Sequence, residues 1–377
     1  MSALLMLSPA PVVELPGREV LLDVDFVEGM KLHCQFWPGR VCCVLRRGAV
    51  SIPGGRRYSR RRLGFDLVLL DPDEPLPEVL IDEANLVYCS ADDAQYLRLP
   101  QLINGRLTRL VYTLENAPGL RLASVLGDRH CSLWRRLRSA LWVLRNESEL
   151  RAAIRAADGV QFNGFAAQRA YRRLHRNSLF YLHSRMRTPM LARAADQQAR
   201  AERLRDGAPL RLVFVGPLER ASGAFDLLQM AYLLKAHGVD FRLEMFGEGT
   251  LDGRLRDGIA ALDLGAQMTL AESPGFDVAL VPHLRNALTA TMNPLKIYNY
   301  LAARKPVVST EIENVDPALC PFISFASDAG GFAAAIRAAC RARPPDGPAF
   351  EAAIAGISWE ARAQAILARI DAWQGRT

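Results

Sequence analysis

The sequence lacks the features by which zinc-binding, secreted and membrane-spanning proteins are usually recognised. Its seven cysteines include no CxxC pair and no Cys/His cluster with metal spacing, which indicates a reducing, cytoplasmic compartment and no metal site. No apolar run approaches the length of a membrane span. Residues 1–7 carry no basic segment and prolines soon follow, so we interpret them as a buried strand rather than a signal peptide.

Lysine is also scarce, although the chain is basic. Against 40 acidic residues there are 47 lysines and arginines, giving a net charge of +7. The only lysines are Lys31, Lys235, Lys296 and Lys305. A moderately basic protein can bind nucleic acid, an anionic membrane or a phosphorylated small molecule. Because the basic residues are scattered and no recognition module is present, we expect no nucleic-acid partner.

The first half of the chain alternates short apolar runs with helical patterns. The runs are rich in Val, Leu, Ile and Phe and several end in polar residues, as strands buried on both faces do. Predicted strands cover residues 41–45, 65–70, 85–89, 109–114, 159–162 and 178–182. Because helical patterns at 133–144 and 147–157 separate some of them, we expect βαβ units and a parallel sheet in a first domain over residues 1–188.

A second unit of the same kind follows residues 189–208, a segment rich in Ala, Arg, Gln and Asp that we interpret as a linker. Its predicted strands cover residues 210–215, 241–246, 268–270, 276–281 and 306–309. The predicted fold class is therefore α/β, with two Rossmann-like doubly wound domains, the second over residues 209–355. Residues 356–377 form a predicted amphipathic terminal helix.

The most informative segment is residues 275–310, in which a strand, a polar loop and a helix follow one another. The helix is predicted to begin around Asn293-Pro294, since proline suits a first helical turn. Helix N-termini present free N–H groups and positive potential. Lys296 falls in that first turn, and Asn299 follows on nearly the same face. This geometry suits a diphosphate near Lys296 and a ribose near Asn299.

The letters NPLKIYNYLAARKPVV, residues 293–308, resemble the C-terminal motif of retaining GT-B glycosyltransferases of the family 4 type, in its N-P-[LI]-K variety. The order of elements over residues 210–310 is similar too. The resemblance implies two Rossmann-like domains facing a cleft, with a UDP- or GDP-linked sugar bound by the C-terminal domain and the acceptor by the N-terminal domain. It implies that the terminal helix crosses back to the N-terminal domain, and that no metal or other cofactor is needed.

The resemblance also assigns donor-site residues. It places Asn293, Lys296 and Asn299 in the donor-binding helix start, and Lys296 as the catalytic group that stabilises the departing diphosphate. The donor-binding candidates in the earlier turns are Gly216, Arg220, Gly223, Gly247 and Glu248. His283 and Arg285 flank the donor loop as candidates to contact the transferred sugar, His283 with a catalytic role.

Several positions depart from the family pattern. Pro217 and Ser222 stand where the family often has a phosphate-binding arginine and lysine. Asn299 replaces the glutamate that holds the ribose hydroxyls, so it forms hydrogen bonds but gives up the charge-assisted one. Gly216, Gly247 and Gly249 would also serve any strand-to-helix turn. These departures leave open a catalytically silent subunit that supports a partner transferase.

Two acceptor-side candidates follow predicted strands of the first domain. Glu115 follows the strand at 109–114 and is a candidate to contact the acceptor or assist proton transfer, with a structural capping role before Pro118 as the alternative. Asn163 follows the strand at 159–162, with a helix N-cap as the alternative. A third candidate, Lys31, falls on a short predicted helix that Asp25 caps.

Residues 133–145 read LWRRLRSALWVLR and predict a basic amphipathic helix that contains tryptophan. Such a helix suits the surface of an anionic bilayer, which would place the cytoplasmic protein peripherally on the inner membrane face. The alternative is a core helix with an arginine-rich outer side. The arginine run at 56–62 is either a second part of the same surface or a solvated loop.

The sequence thus predicts a glycosyltransferase that moves a sugar from a nucleoside diphosphate to a glycan or lipid-linked acceptor in cell-surface polysaccharide biosynthesis, with retention of configuration. Besides the silent subunit, a nucleotide-sugar epimerase is a second alternative, which would consume the donor with no acceptor present.

Overall fold

A computed structural model describes residues 3–52, 54–127, 132–187, 191–192, 194–270, 275–286, 289, 292, 294–341 and 345–374. The chain divides into two compact units. Unit 1 comprises Met1–Tyr181 together with Arg362–Thr377, and unit 2 comprises Leu182–Ala361.

The described residues of unit 1 contain ten strands in two sheets. In chain order they are β1 Ala3–Leu7, β2 Val13–Leu15, β3 Glu19–Leu22, β4 Arg40–Arg46, β5 Arg56–Ser59, β6 Asp66–Leu70, β7 Leu86–Ser90, β8 Arg109–Leu114, β9 Gly159–Asn163 and β10 Ser178–Tyr181. Seven of them form a parallel sheet in the order β10-β9-β8-β7-β1-β4-β6. The small sheet β2-β3-β5 is antiparallel and was not predicted.

The parallel sheet of unit 1 is buried on both faces. Successive residues of a strand point to opposite faces, and in β1 Leu5 packs with one core cluster while Leu4 packs with another. The same alternation separates Tyr112 from Val111 in β8. This two-sided burial explains why the strands appear in the sequence as continuous apolar runs.

Helices cover the parallel sheet of unit 1. They are α1 Val24–Phe36, α2 Glu78–Asp82, α3 Leu99–Ile103, α4 Pro118–Gly127, α5 Leu133–Ala156 and α6 Phe165–Tyr171. Two predictions need correction. The cap of α1 is Asp23, whose carboxylate accepts a hydrogen bond from the Phe26 N–H at 2.9 Å, and not Asp25. The two helical patterns at 133–144 and 147–157 form the single helix α5, since no helix-breaking residue separates them.

Unit 2 is built around a second parallel sheet. Its strands are β11 Leu210–Val215, β12 Phe241–Phe246, β13 Met268–Thr269, β14 Val278–Val281, β15 Val307–Ser309 and β16 Ile323–Phe325, in the order β13-β12-β11-β14-β15-β16. The helices are α7 Ala194–Arg205, α8 Asp226–Ala236, α9 Asp252–Ala261, α10 Leu295–Ala302, α11 Ala329–Arg341, α12 Pro348–Gly356 and α13 Trp359–Gln374.

The segment predicted as a linker belongs to unit 2. Most of it forms α7, whose Arg203 donates a hydrogen bond to the Asp277 carboxylate just before β14. Arg200 is a second ionic partner of Asp277, at 3.6 Å, and the Arg211 N–H donates to the same carboxylate at 2.8 Å. Because Asp277 is buried, these partners hold α7 on the sheet.

The terminal helix α13 is shared between the units. Its first residue, Trp359, donates its N–H to the Met186 oxygen at 2.7 Å within unit 2. From Arg362 onward the chain belongs to unit 1, where Ile366 packs into the core beside β1 and β4.

Candidate functional site

The strand order of unit 2 creates a switch point between β11 and β14. From β11 the chain moves outward to β12 and β13, and then returns to place β14 on the other side of β11. In open parallel α/β sheets, ligands bind outside the carboxyl ends of the strands at such a point. Gly216 directly follows β11 and Pro282-His283 directly follow β14, so the predicted donor turns lie at this edge.

Two glycines allow the turns at this edge to approach each other. Gly223 has φ +71°, and a Cβ atom there would lie 1.6 Å from the Pro282 oxygen. Gly247 has φ +144°, and its Cβ atom would lie 1.9 Å from the Gly216 oxygen. Any other residue would displace the facing backbone and adopt a conformation that L residues rarely take. Both glycines therefore shape the site.

Lys296 lies at the carboxyl end of β11. Helix α10 begins at Leu295, with Pro294 at its N-cap rather than inside its first turn. The half-buried Lys296 side chain extends to the end of the strand, where Nζ donates to the Val215 oxygen at 2.5 Å. A Cβ atom on Gly216 would lie only 2.9 Å from Nζ. Burial lowers the pKa of the Lys296 ammonium group.

His283 stands beside Lys296. Burial lowers the pKa of its imidazole, and the positive charge of Lys296 lowers it further, while a backbone hydrogen bond with Ala221 opposes both. The imidazole is therefore neutral near pH 7. The Thr310 hydroxyl donates to the His283 oxygen at 2.9 Å and fixes the backbone of this loop.

A cavity of about 480 Å³ is lined by both Lys296 and His283. Its lining residues are Pro217, Glu219, Ala221, Ser222, Val281, His283, Thr289, Met292, Pro294, Leu295 and Lys296. The structure thus brings Lys296 and His283 together at one cavity within unit 2.

Glu219 is a cavity residue that the sequence did not reveal. Its carboxylate accepts hydrogen bonds from the Thr250 N–H at 2.9 Å and from the Thr250 hydroxyl at 2.7 Å, and these bonds lower its pKa. The bonds join the turn after β11 to the turn after β12. Glu219 lies three residues beyond Gly216, but its partner is more distant in sequence, and nothing in the local pattern indicates it.

Comparisons with known proteins identify the architecture. No protein-family model matches the sequence, and no curated protein matches it significantly. Solved structures match nearly the whole chain. Anabaena HepE in complex with UDP and glucose is 13% identical with a TM-score of 0.58, covering 98% of this chain and 99% of its own. Sucrose-phosphate synthase from Thermosynechococcus elongatus is 14% identical with a TM-score of 0.60, covering 100% of both chains.

A third similar structure is the lipopolysaccharide outer core galactosyltransferase WaaB, at 8% identity and a TM-score of 0.60, covering 99% of both chains. The chain has the GT-B fold. This confirms the predicted fold class of two Rossmann-like α/β units. At such low identity the similarity is one of fold.

Three other donor candidates are not among the residues that line the cavity. Arg220 is exposed and is not among the lining residues. Arg285 is exposed, pairs with Glu311 at 3.0 Å and lines a neighbouring cavity of about 240 Å³ that His283 also lines. The Glu248 side chain is exposed, and its backbone oxygen accepts from the Leu218 N–H at 3.0 Å.

The two asparagines of the helix start differ. Asn293 lies outside the described residues. Asn299 lies on α10 one turn beyond Lys296, and its Oδ1 atom is buried without a hydrogen-bond partner among the residues that the structure describes. Asn299 is not among the residues that line the cavity, so the structure leaves its buried Oδ1 atom without contact to that space.

Glu115 and Asn163 of unit 1 contact each other. They follow or end the adjacent parallel strands β8 and β9, and Asn163 Nδ2 donates to Glu115 Oε1. The Asp92 carboxylate accepts from the Glu115 N–H at 2.8 Å. Although part of Glu115 is exposed, the pKa of its carboxyl group is raised, chiefly because that group is buried. The hydrogen bond from Asn163 lowers this pKa, and the negative charge of Asp92 raises it.

Lys31 does not join this pair. It is exposed on α1 and forms an ion pair with Glu28 at 2.8 Å, one turn back on the same helix. Among the described residues there is no group of three or more His, Cys, Asp or Glu side chains that could hold a metal ion. Within the same residues no helix combines the length and apolar character needed to cross a membrane.

Proposed function

We propose that this chain is a glycosyltransferase whose nucleoside-diphosphate sugar binds at the cavity between the ends of β11 and β14. One observation carries the proposal: the Lys296 ammonium group is held at the carboxyl end of β11, beside the start of α10 and the wall of the cavity. A cation and helix N–H groups at the switch point of a doubly wound sheet form a site for phosphates.

The chemistry follows from where charge develops. When the bond between the sugar and the diphosphate breaks, negative charge accumulates on the departing diphosphate. Lys296, half-buried and positively charged, stabilises that charge more strongly than a solvated lysine would. His283 is neutral and can exchange a hydrogen bond with the sugar without repelling Lys296. The diphosphate itself can accept the acceptor proton, which is why we favour transfer with retention and without a metal.

The similar structures suggest which class of donor and which class of acceptor the protein uses. The motif at residues 293–308 is compatible with a UDP- or a GDP-linked sugar. HepE was solved with UDP and glucose, so we favour a UDP-linked one. WaaB is a lipopolysaccharide galactosyltransferase. We therefore propose a glycan or lipid-linked acceptor in cell-surface polysaccharide biosynthesis, contacted by Glu115 and Asn163.

The direct test is ligand-dependent stabilisation against heat. UDP, GDP, UDP-glucose, UDP-galactose and GDP-mannose are each added to the full chain. A true donor at one hundred times its Kd stabilises the folded state by about 2.7 kcal/mol. We expect the UDP compounds to raise the Tm of the wild-type protein and to have little effect on Lys296→Ala. Equal shifts in both proteins would remove Lys296 from the donor site.

The silent subunit is the second candidate, and Glu219 favours it. A carboxylate lines the cavity where the family pattern has basic residues nearby, and the resulting repulsion weakens the binding of a diphosphate. If no nucleotide raises the Tm, the silent subunit becomes the better proposal. If the protein binds a donor and consumes it with no acceptor present, a nucleotide-sugar epimerase becomes the better proposal.

A further inference from the structure

The first half of α5 presents large apolar side chains to solvent. Leu133 is 78% exposed, Trp134 79% and Trp142 58%. We define the Trp134 surface by the exposed residues Leu133, Trp134, Arg135, Leu137, Arg138, Leu141, Trp142, Leu144 and Arg145. The alternative of a core helix with an arginine-rich outer side is therefore wrong for this half of α5.

The inward side of the same helix carries smaller residues. Ala140 and Val143 are buried, whereas Leu137 and Leu141, which are larger, face outward. A helix that only covers a core shows the reverse arrangement, with its largest apolar residues inside. The packing of unit 1 therefore gives no reason for leucine and tryptophan at these positions.

The exposed side has an ordered arrangement. An α-helix turns by about 100° per residue, so an apolar arc of about 100° runs through the positions of Leu133, Leu144, Leu137, Leu141 and Trp134. The adjacent arc holds Arg145, Arg138, Trp142 and Arg135. An apolar stripe bordered by arginine and tryptophan is the pattern of a helix that lies at the boundary between lipid headgroups and acyl chains.

Charge identifies the partner of this surface. Residues 133–145 include four arginines and no acidic residue. A second copy of the chain is disfavoured because a two-fold interface would bring the arginines of one copy against those of the other. An anionic bilayer complements the arginines and accepts the apolar stripe, and the long arginine side chains reach the headgroups while their stems stay among apolar atoms.

We propose that the Trp134 surface docks unit 1 onto the surface of an anionic lipid bilayer. The apolar stripe of α5 inserts at the level of the headgroups, and Arg138 and Arg145 pair with lipid phosphates. This docking does not depend on donor binding in unit 2, so either proposal can fail while the other stands.

The test measures binding of the full chain to vesicles by co-sedimentation. The vesicles contain phosphatidylcholine alone or phosphatidylcholine with phosphatidylglycerol. We compare Trp134→Ser/Leu141→Ser, which removes apolar contact, with Arg138→Glu/Arg145→Glu, which reverses charge. The matched control is Arg172→Glu/Arg173→Glu, which makes the same change in net charge at exposed positions at the end of α6. Circular dichroism and the thermal unfolding of each variant verify that unit 1, which carries all of these substitutions, is intact.

We expect the wild-type protein to bind anionic vesicles about tenfold or more tightly than neutral ones, and each surface variant to lose about tenfold of that affinity. The control should lose less than about twofold, and added salt should weaken binding. An equal loss in the control would show a response to net charge only and would overturn the proposal. So would wild-type binding no tighter to anionic vesicles, or a dimer in sedimentation velocity that Trp134→Ser/Leu141→Ser abolishes.

Discussion

The Nζ atom of Lys296 donates a hydrogen bond to the backbone oxygen of Val215, the last residue of β11, although the two residues are 81 positions apart. The bond fixes the ammonium group at the edge of the sheet where ligands of this fold class bind. An ammonium group has three N–H donors, so the bond to Val215 leaves donors for a phosphate. A Cβ atom at position 216 would lie 2.9 Å from Nζ, so a side chain there would displace the ammonium group.

Removing the Lys296 ammonium group should abolish most of the transferase activity. We expect Lys296→Ala to lower kcat/KM by about 10²- to 10³-fold, because it removes a preorganised charge from the departing diphosphate. Lys235→Ala is the matched control, since Lys235 is a partly exposed lysine on α8 that pairs with Asp263. The measurement is the initial rate of sugar transfer by each variant. Equal rates for Lys296→Ala and Lys235→Ala would contradict a catalytic role for Lys296.

Donor affinity should fall at alkaline pH. Burial lowers the pKa of Lys296, so the ammonium group of the free protein loses its proton at a lower pH than an ordinary lysine does. Affinity for UDP is then highest below that pKa and declines as pH rises through it. Calorimetric titration between about pH 7 and 10 measures the decline. In Lys296→Arg the charge persists over this range, and a decline of the same size in that variant would exclude Lys296 as its cause.

The close approach of the donor turns predicts different costs for two glycine substitutions. Gly223 and Gly238 have similar φ angles, +71° and +68°, but a Cβ atom at Gly223 would meet the Pro282 oxygen, whereas nothing lies within 4 Å at Gly238. Gly238→Ala should lower the free energy of unfolding by about 1–2 kcal/mol through backbone strain alone. Gly223→Ala should lose about 3 kcal/mol or more and weaken UDP binding. Urea unfolding measures the free energy of unfolding of both variants. If both lose the same amount, the backbone around Pro282 moves away from the new Cβ atom without cost.

The sequence was sufficient for several strands of the two parallel sheets. The predicted bounds of Arg109–Leu114, Leu210–Val215 and Phe241–Phe246 match the structure, because each is a run of mainly apolar residues bounded by polar or turn residues. The closeness of Glu115 and Asn163 could also be predicted, since both lie at the carboxyl ends of consecutive core strands.

Features that depend on distant partners could not be predicted. The strand Arg56–Ser59 pairs with Glu19–Leu22 far away in sequence, so its arginines looked like a charged loop. The bonds between Glu219 and Thr250 are equally non-local. Periodicity alone showed that α5 is amphipathic, but which side packs inward depends on what unit 1 places against Ala140 and Val143.

The contact between Glu115 and Asn163 predicts a specific change in the pH profile. If the Glu115 carboxylate assists the acceptor proton, activity falls as pH decreases through its raised pKa. Asn163→Ala removes the bond that lowers this pKa, so the acid limb should move to higher pH. Glu115→Gln should lower kcat by about 10- to 10²-fold with UDP affinity unchanged. A profile of kcat against pH that stays in place in Asn163→Ala would contradict the proton-transfer role.

Asn299 offers a test in which the protein should improve. Its Oδ1 atom is buried without a partner among the described residues, on the helix that carries Lys296, and the family pattern has a glutamate there. A hydrogen bond to a charged group contributes about 1 kcal/mol more than one between neutral groups. The nearby Lys296, three positions earlier on the helix, also stabilises a carboxylate at position 299. Asn299→Glu should therefore bind UDP about fivefold more tightly.

The control ligand for Asn299→Glu is 2′,3′-dideoxy-UDP, which lacks both ribose hydroxyls. Because the proposed bond goes to those hydroxyls, the gain in affinity should appear for UDP and vanish for the dideoxy compound. Calorimetric titration of both ligands against both proteins forms a complete cycle. A gain of the same size for the two ligands would place residue 299 away from the ribose, and the nucleotide would then have to lie in a different orientation along α10.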